Sequence, residues 1–171
     1  MASTTTLNGK TLVLVDVGNL FFPCRDRGSF IDFEKFLVLL CEDRSRIYKA
    51  IAFSAYRHRS NGNDDGKQWF FKRLGKQGFE VVSKKVKKLP DGTEKGNCDV
   101  EIAIEACRAV YCVEKVVLVT GDGDFIPLVK YLQEYGIRVD VWFFKSVTDN
   151  NLIKIADCFY NLEEYLEAIK L

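Results

Sequence analysis

A chain of 171 residues, 47% hydrophobic and 29% charged, has the length of one domain and enough apolar mass for a real core. Its net charge of +1 excludes nucleic-acid binding by bulk charge, so any basic surface must come from local patterning. No run approaches the ~20 apolar residues of a membrane helix, and the first ten residues lack a basic-then-apolar leader pattern. Residues 1–10 therefore read as a flexible lead, 11–171 as a single domain, and the protein as cytoplasmic with no membrane partner.

Thr11-Leu12-Val13-Leu14-Val15 is a continuous apolar run, the pattern of a central strand covered on both faces. It ends in Asp16-Val17-Gly18-Asn19-Leu20. Residues 32–42 read as a helix with Asp32 as N-cap, and 47–56 as a second strand. A polar loop over 57–65 leads to a helical pattern over 66–77, stopped by Gly78. A third strand begins at Phe79 and runs into Lys84-Lys85-Val86-Lys87-Lys88, followed by the turn Pro90-Asp91-Gly92. Asp99 opens a helix through Val110, and strand four spans 115–120. A helix over about 125–135 ends at Gly136 in the C-cap position, and Ile137 to Phe144 is strand five. Two short helical patterns, near 149–157 and 162–169, are separated by Phe159-Tyr160-Asn161. This alternation predicts an α/β three-layer sandwich, Rossmann-like, with a mostly parallel central sheet of about five strands.

The chemistry concentrates where strands end. Asp122 and Asp124 share the turn after strand four, and each would cost several kcal/mol to desolvate unless paired or bound to a cation. Asp16 follows strand one, with Asn19 adding a neutral amide one turn on. Asp99 starts the helix that leads into strand four, so it lies on the same side as the strand carboxyl ends. Open parallel sheets bind ligands there, near the reversal of strand order, which brings four acids to one crevice. Singly, each acid has a structural use as a cap or as dipole partner: Asp16 at its turn, Asp99 at a helix start, Asp124 ahead of Phe125. Together they repel one another, and a divalent cation would relieve the repulsion. Carboxylate oxygens alone favour Mg²⁺ or Mn²⁺ over zinc. Such an ion meets phosphate oxygens, lowers the pKa of a bound water and offsets transition-state charge, and a second ion about 4 Å away would stabilise the leaving oxygen. The six cysteines form no Cys-x-x-Cys pair and read as reduced, buried thiols; the single histidine, His58, reads as a loop residue.

Three segments stand out in combination: Leu14-Val15-Asp16-Val17-Gly18-Asn19-Leu20, Lys95-Gly96-Asn97-Cys98-Asp99-Val100, and Val119-Thr120-Gly121-Asp122-Gly123-Asp124-Phe125-Ile126-Pro127-Leu128. Together they resemble the NYN domain family, the PIN-like ribonuclease group that includes the LabA-like proteins. The resemblance continues through Gly136-Ile137-Arg138-Val139 and 152–159, spanning nearly the whole chain. It implies a PIN-like fold and a metal-dependent nuclease acting on RNA. Asp16, Asp99, Asp122 and Asp124 would then be catalytic metal ligands, and Asn19 a supporting polar group in the catalytic set. Glu105 stands where relatives have a further acid, yet Glu101, Glu105 and Arg108 have the spacing of a solvated helix face, which ranks Glu105 below the four Asp residues. Cys98, Thr120 and Gly123 depart from the family pattern without touching a ligand position.

Basic residues cluster at Arg57 and Arg59 with Lys67, Lys72, Arg73 and Lys76, and at Lys84, Lys85, Lys87, Lys88 and Lys95 just ahead of Asp99. Lys and Arg at such places supply sequence-independent phosphate affinity. Trp69, Phe70, Phe71, Phe21 and Phe22 offer rings for stacking unpaired bases, although core packing is the reading preferred for Phe21 and Trp69. The partner expected is single-stranded RNA; a homodimer stays open. A metal-dependent endoribonuclease is thus the leading function, with a non-catalytic or weakly active RNA-binding or regulatory module on the same fold as the alternative. An aspartyl phosphatase fails at Gly18, where a second acid would stand, and a dinucleotide site fails because Asp122 occupies the Gly-rich turn.

Overall fold

The computed structural model describes residues 9–41, 43–56 and 65–171. Most of the expected N-terminal lead, Glu42 of the expected first helix, and the loop bearing Arg57, His58 and Arg59 lie outside the described residues. In chain order the elements are β1 (Thr11–Asp16), α1 (Val17–Asp26), α2 (Phe33–Leu40), β2 (Ile47–Tyr56), α3 (Asp65–Lys76), β3 (Glu80–Lys85), β4 (Lys87–Lys88) and β5 (Glu94–Lys95). Then come α4 (Asp99–Arg108), β6 (Lys115–Val119), α5 (Ile126–Glu134), β7 (Arg138–Phe143), α6 (Asn150–Ile155), β8 (Cys158–Asn161) and α7 (Leu166–Ile169). Among the described residues no helix is long and apolar enough to cross a membrane.

Six strands form one sheet in the order β3-β2-β1-β6-β7-β8, and every neighbouring pair is parallel. The period-2 alternation of the apolar runs divides the core between its two faces. Val13, Val15, Val117 and Val119 point into one core with residues of α1, α2, α3 and α7. Leu12, Leu14, Val116 and Leu118 point into the other with residues of α4, α5 and α6. The result is the expected three-layer α/β sandwich, PIN-like in kind.

Three features differ from the expectation. The segment Phe159-Tyr160-Asn161 is not a separator but, with Cys158, a sixth strand. Four residues are too few to show a period, and it is the cross-strand pair Trp142–Tyr160, stacked at 4.2 Å, that fixes it on β7. The second is α1, a helix that follows Asp16 directly where no element was expected, although it holds Gly18 and Pro23; its buried stripe is Val17, Leu20 and Cys24. The third is the antiparallel pair β4–β5, closed by the turn at Pro90-Asp91-Gly92 and a Leu89 N–H to Thr93 O bond of 2.7 Å. The cysteines are all free, but only Cys24, Cys41 and Cys98 are buried, while Cys107 is exposed. Asp32 caps α2 as expected, accepting the Glu34 and Lys35 N–H groups at 2.9 and 3.2 Å.

Strand order places the site. The chain leaves β1 towards β2 and β3, and leaves β6 towards β7 and β8, so β1 and β6 flank the point where the order reverses. Directly after β6, Gly121 is pressed against the buried Phe143. A Cβ there would lie 2.4 and 2.7 Å from the Phe143 ring and 2.9 Å from the Val147 carbonyl oxygen. Neither neighbour is free to move, because Phe143 is fully buried and the other contact is backbone. Gly121→Ala is therefore expected to destabilise by about 2–3 kcal/mol, lowering Tm by roughly 5–10 °C. Gly75→Ala, inside exposed α3 with nothing within 4 Å of the added carbon, should instead stabilise by about 0.5–1 kcal/mol. Thermal melts of the two variants check both signs.

Candidate functional site

The carboxyl end of β1 carries Asp16, half-buried, as the N-cap of α1. Its Oδ1 accepts the Asn19 N–H at 3.0 Å, so one carboxylate both ends the strand and starts the helix. Burial pushes the Asp16 carboxyl up to about 6; the N–H groups of Asn19 and Gly18 restrain it, and the charges of Asp99 and Asp122 add to the rise.

Across the reversal point, β6 ends at Val119 and a short 3-10 turn covers Gly123–Phe125 ahead of α5. Asp122 caps this turn, accepting the Asp124 N–H on Oδ1 at 2.9 Å. The capping role expected of Asp124 thus falls to Asp122. Asp124 is left exposed in the middle of the three-residue turn that precedes the α-helix. The fully buried Thr120 steadies the approach, its Oγ1 accepting the Asp122 N–H at 3.2 Å.

Asp99 enters as the first residue of α4, where the helix dipole favours an anion. Burial, then the charges of Asp122 and Asp124, hold its carboxyl above the usual range, while an N–H from the Asn97 side chain pulls the other way. Asp99, Asp122 and Asp124 each offer a carboxylate oxygen, and those oxygens lie within 4.8 Å of one another. Asp16 stands outside this tight group but close enough to be felt by Asp99 and Asp122. The four predicted acids therefore gather at one crevice as three plus one. Asn19 contributes its backbone N–H to Asp16.

Other predicted residues are distributed around this centre. Lys84 is ion-paired to Glu101 at 2.7 Å and lies near enough to Asp99 to feel its charge. Glu101 is consequently half-buried and paired rather than part of a solvated face. Glu105 is paired to Arg108 at 2.7 Å instead of joining the acid group. Lys85, Lys87 and Lys88 are exposed at the end of β3 and along β4; Lys95 pairs with Lys87 across the hairpin through the backbone. Phe21 and Trp69, expected in the core, are 52% and 60% exposed. Their helices bury other stripes, Val17-Leu20-Cys24 on α1 and Leu74 on α3, which leaves these two rings off the packed face.

Two contributors are legible only in three dimensions. Asn97 donates its side-chain N–H to Asp99 Oδ2. Asp149 binds the double-acid turn to α6: its N–H donates to the Gly121 carbonyl at 3.0 Å, and its Oδ1 accepts the Asn151 and Leu152 N–H groups at 2.7 and 3.2 Å. A Cβ on Gly123 would come within 2.9 Å of Asp149 Cγ, which is why the residue between the two acids has no side chain. The signal available in the sequence was Asp149 ahead of a helical pattern, which reads as a cap alone.

The NYN domain family pattern matches residues 10–163. The low amplitude and bright protein LabA of Synechococcus elongatus is 23% identical over 164 residues, covering 92% of this chain and 86% of that protein. The crystal structure of a protein of unknown function from Vibrio parahaemolyticus superposes with a TM-score of 0.82 at 31% identity, covering 100% of each chain.

The raised Asp16 carboxyl has a consequence for stability. Its folded pKa, about 6, lies above the unfolded value near 3.8, so the folded state binds the proton more tightly. The resulting destabilisation is fully present above pH 6 and is lost as pH falls towards 4. In metal-free protein it should amount to about 2 kcal/mol once partial solvent screening is allowed for. Asp16→Asn, which keeps an oxygen for the Asn19 N–H, should melt higher than wild type at pH 7.5 and lose the gain in stability that wild type shows between pH 6 and 4. Melting curves in EDTA across that range check it.

Proposed function

The chain belongs to the NYN domain family, and from that premise we propose that it is a metal-dependent endoribonuclease. Asp99, Asp122 and Asp124 would hold the cation, Mg²⁺ or Mn²⁺, with Asp16 beside them. The observation that carries the reading is the group of three carboxylates whose oxygens lie within 4.8 Å of one another at the sheet's reversal point. The donor set fits a hard cation, since every member offers oxygen and none offers sulfur or imidazole. Bound there, a divalent ion would act as a Lewis acid on a phosphodiester and lower the pKa of the attacking water.

The chain's own residues do the rest. Thr120 and Asp149 hold the turn that aims Asp122 and Asp124. Asn97 orients Asp99, and Asp16 locks the start of α1 while adding negative charge to the crevice. Lys85, Lys87 and Lys88 stand exposed at the end of β3 and along β4, ahead of α4, where they would meet backbone phosphates on the way to Asp99. Lys84, held by Glu101 beside Asp99, would meet the phosphate nearest the acids. The roles assigned to Asn19, Lys95, Arg57 and Arg59 remain those implied by sequence.

The test uses labelled RNA with Mg²⁺ or Mn²⁺. Wild type should cleave internally, EDTA should abolish cleavage, and Asp99→Asn or Asp122→Asn should lower the rate roughly 100-fold or more. Independently of turnover, Mn²⁺ at about 100 times its Kd should raise the wild-type Tm by about 5–10 °C and leave Asp122→Asn unmoved. Cleavage that survives both EDTA and the Asp substitutions would refute the assignment. A metal-induced shift in Tm without cleavage would favour the RNA-binding module instead.

A further inference from the structure

On the face of the sheet that carries α1 and α3, a groove of about 240 Å³ runs between the two helices. It is almost wholly apolar in lining, and three of the rings that line it stay in solvent, Phe21, Phe30 and Trp69 at 52–65% exposed, with the exposed Phe22 ring packed edge-on against Phe21. Exposed apolar rings gathered in one patch, rather than scattered singly, mark a contact surface. Its walls are specific in charge as well. The two charged residues that line the groove, among those described, are Arg25 and Arg73, both cations. Arg73 lies over the Trp69 ring at 5.3 Å and Arg25 over Phe22 at 5.1 Å, with Asp26 paired to Arg25 at 2.9 Å. Lys72 and Lys76 are exposed on the same helix as Trp69.

The groove begins one residue from the acid site along α1. Val17, the residue after Asp16, lines it, and Phe21 follows within the same helix, about 6 Å further along the axis. A second copy of this chain, docked by twofold symmetry, would set these cations against themselves. A polyanion with flat apolar rings fits both features at once, because aromatic side chains accept any base by stacking while Arg and Lys follow the phosphates.

We propose that the α1–α3 groove, through Phe21, Trp69, Arg25 and Arg73, seats unpaired bases of the strand whose phosphodiester lies at Asp99, Asp122 and Asp124. This deepens the ribonuclease reading and rests on it for the identity of the polymer. It makes the substrate single-stranded on that side of the scissile bond, since a base already paired and stacked in a duplex cannot enter.

Trp69 is its own reporter, because the other tryptophan, Trp142, is buried and stacked on Tyr160. In EDTA, a single-stranded RNA 12-mer should quench Trp69 fluorescence, whereas the same sequence as a duplex and an abasic backbone of equal length should not. By anisotropy of labelled RNA, Trp69→Ala and Phe21→Ala should each weaken single-strand binding about 5- to 100-fold, and Trp69→Phe should restore most of it. Both are exposed positions, so circular dichroism should show unchanged folds. Equal quenching by duplex or abasic backbone would overturn the proposal in favour of charge alone. Absent quenching with cleavage intact would overturn it and leave the ribonuclease reading standing. Self-association that Trp69→Ala abolishes, with no response to RNA, would overturn it and make the groove a contact between copies. Selective quenching by a protein that never cleaves would sustain the groove and sink the ribonuclease reading.

Discussion

Mutual repulsion among carboxylates held at one end of the sheet is the constraint on which the site depends. Asp99, Asp122 and Asp124 bring their oxygens within 4.8 Å of one another, and Asp16 sits close enough to share the strain. The cost shows in the Asp16 and Asp99 carboxyls, both held above their ordinary range by burial and by the neighbouring acids. A fold under no functional demand would spread these charges or pair them with lysine, as it does for Glu101 with Lys84 and for Asp140 with Arg138 and Lys115. Here, among the described residues, the hydrogen bonds given to Asp16, Asp99 and Asp122 come from N–H donors, which fix geometry without cancelling charge.

The scaffold absorbs that cost through rigid parts. A six-stranded parallel sheet whose central strands are buried on both faces places the ends of β1 and β6 side by side. Gly121 lets the backbone press onto Phe143, and Gly123 lets Asp149 lie against the double-acid turn. These contacts, with the Asp149 N–H to Gly121 carbonyl bond, fix the turn where Asp122 and Asp124 stand beside Asp99. Because α1 begins on Asp16 itself, the same carboxylate that belongs to the acid site also anchors one wall of the aromatic groove.

Much of this was legible in the sequence, for identifiable reasons. Continuous apolar runs such as 11–15 and 116–119 mark buried parallel strands, and βα alternation then puts the strand-end acids on one side. What escaped were elements whose local signals conflict with their context. Gly18 and Pro23 disguise α1, and with α1 unseen its buried stripe of Val17, Leu20 and Cys24 was invisible, so Phe21 passed for core. β8 is too short for periodicity and is fixed by a long-range stack on Trp142. The capping exchange between Asp122 and Asp124 depends on a 3-10 turn that no propensity distinguishes from the first turn of an α-helix. Asp149 is tied to the site only through backbone and steric contact, which leave no motif.

The most direct measurement of the central claim is anomalous scattering from a crystal of the protein grown or soaked in Mn²⁺. The account predicts a peak bounded by the carboxylates of Asp99, Asp122 and Asp124, lost in Asp122→Asn. A well-soaked crystal with no peak there, or with manganese bound only elsewhere, would contradict it.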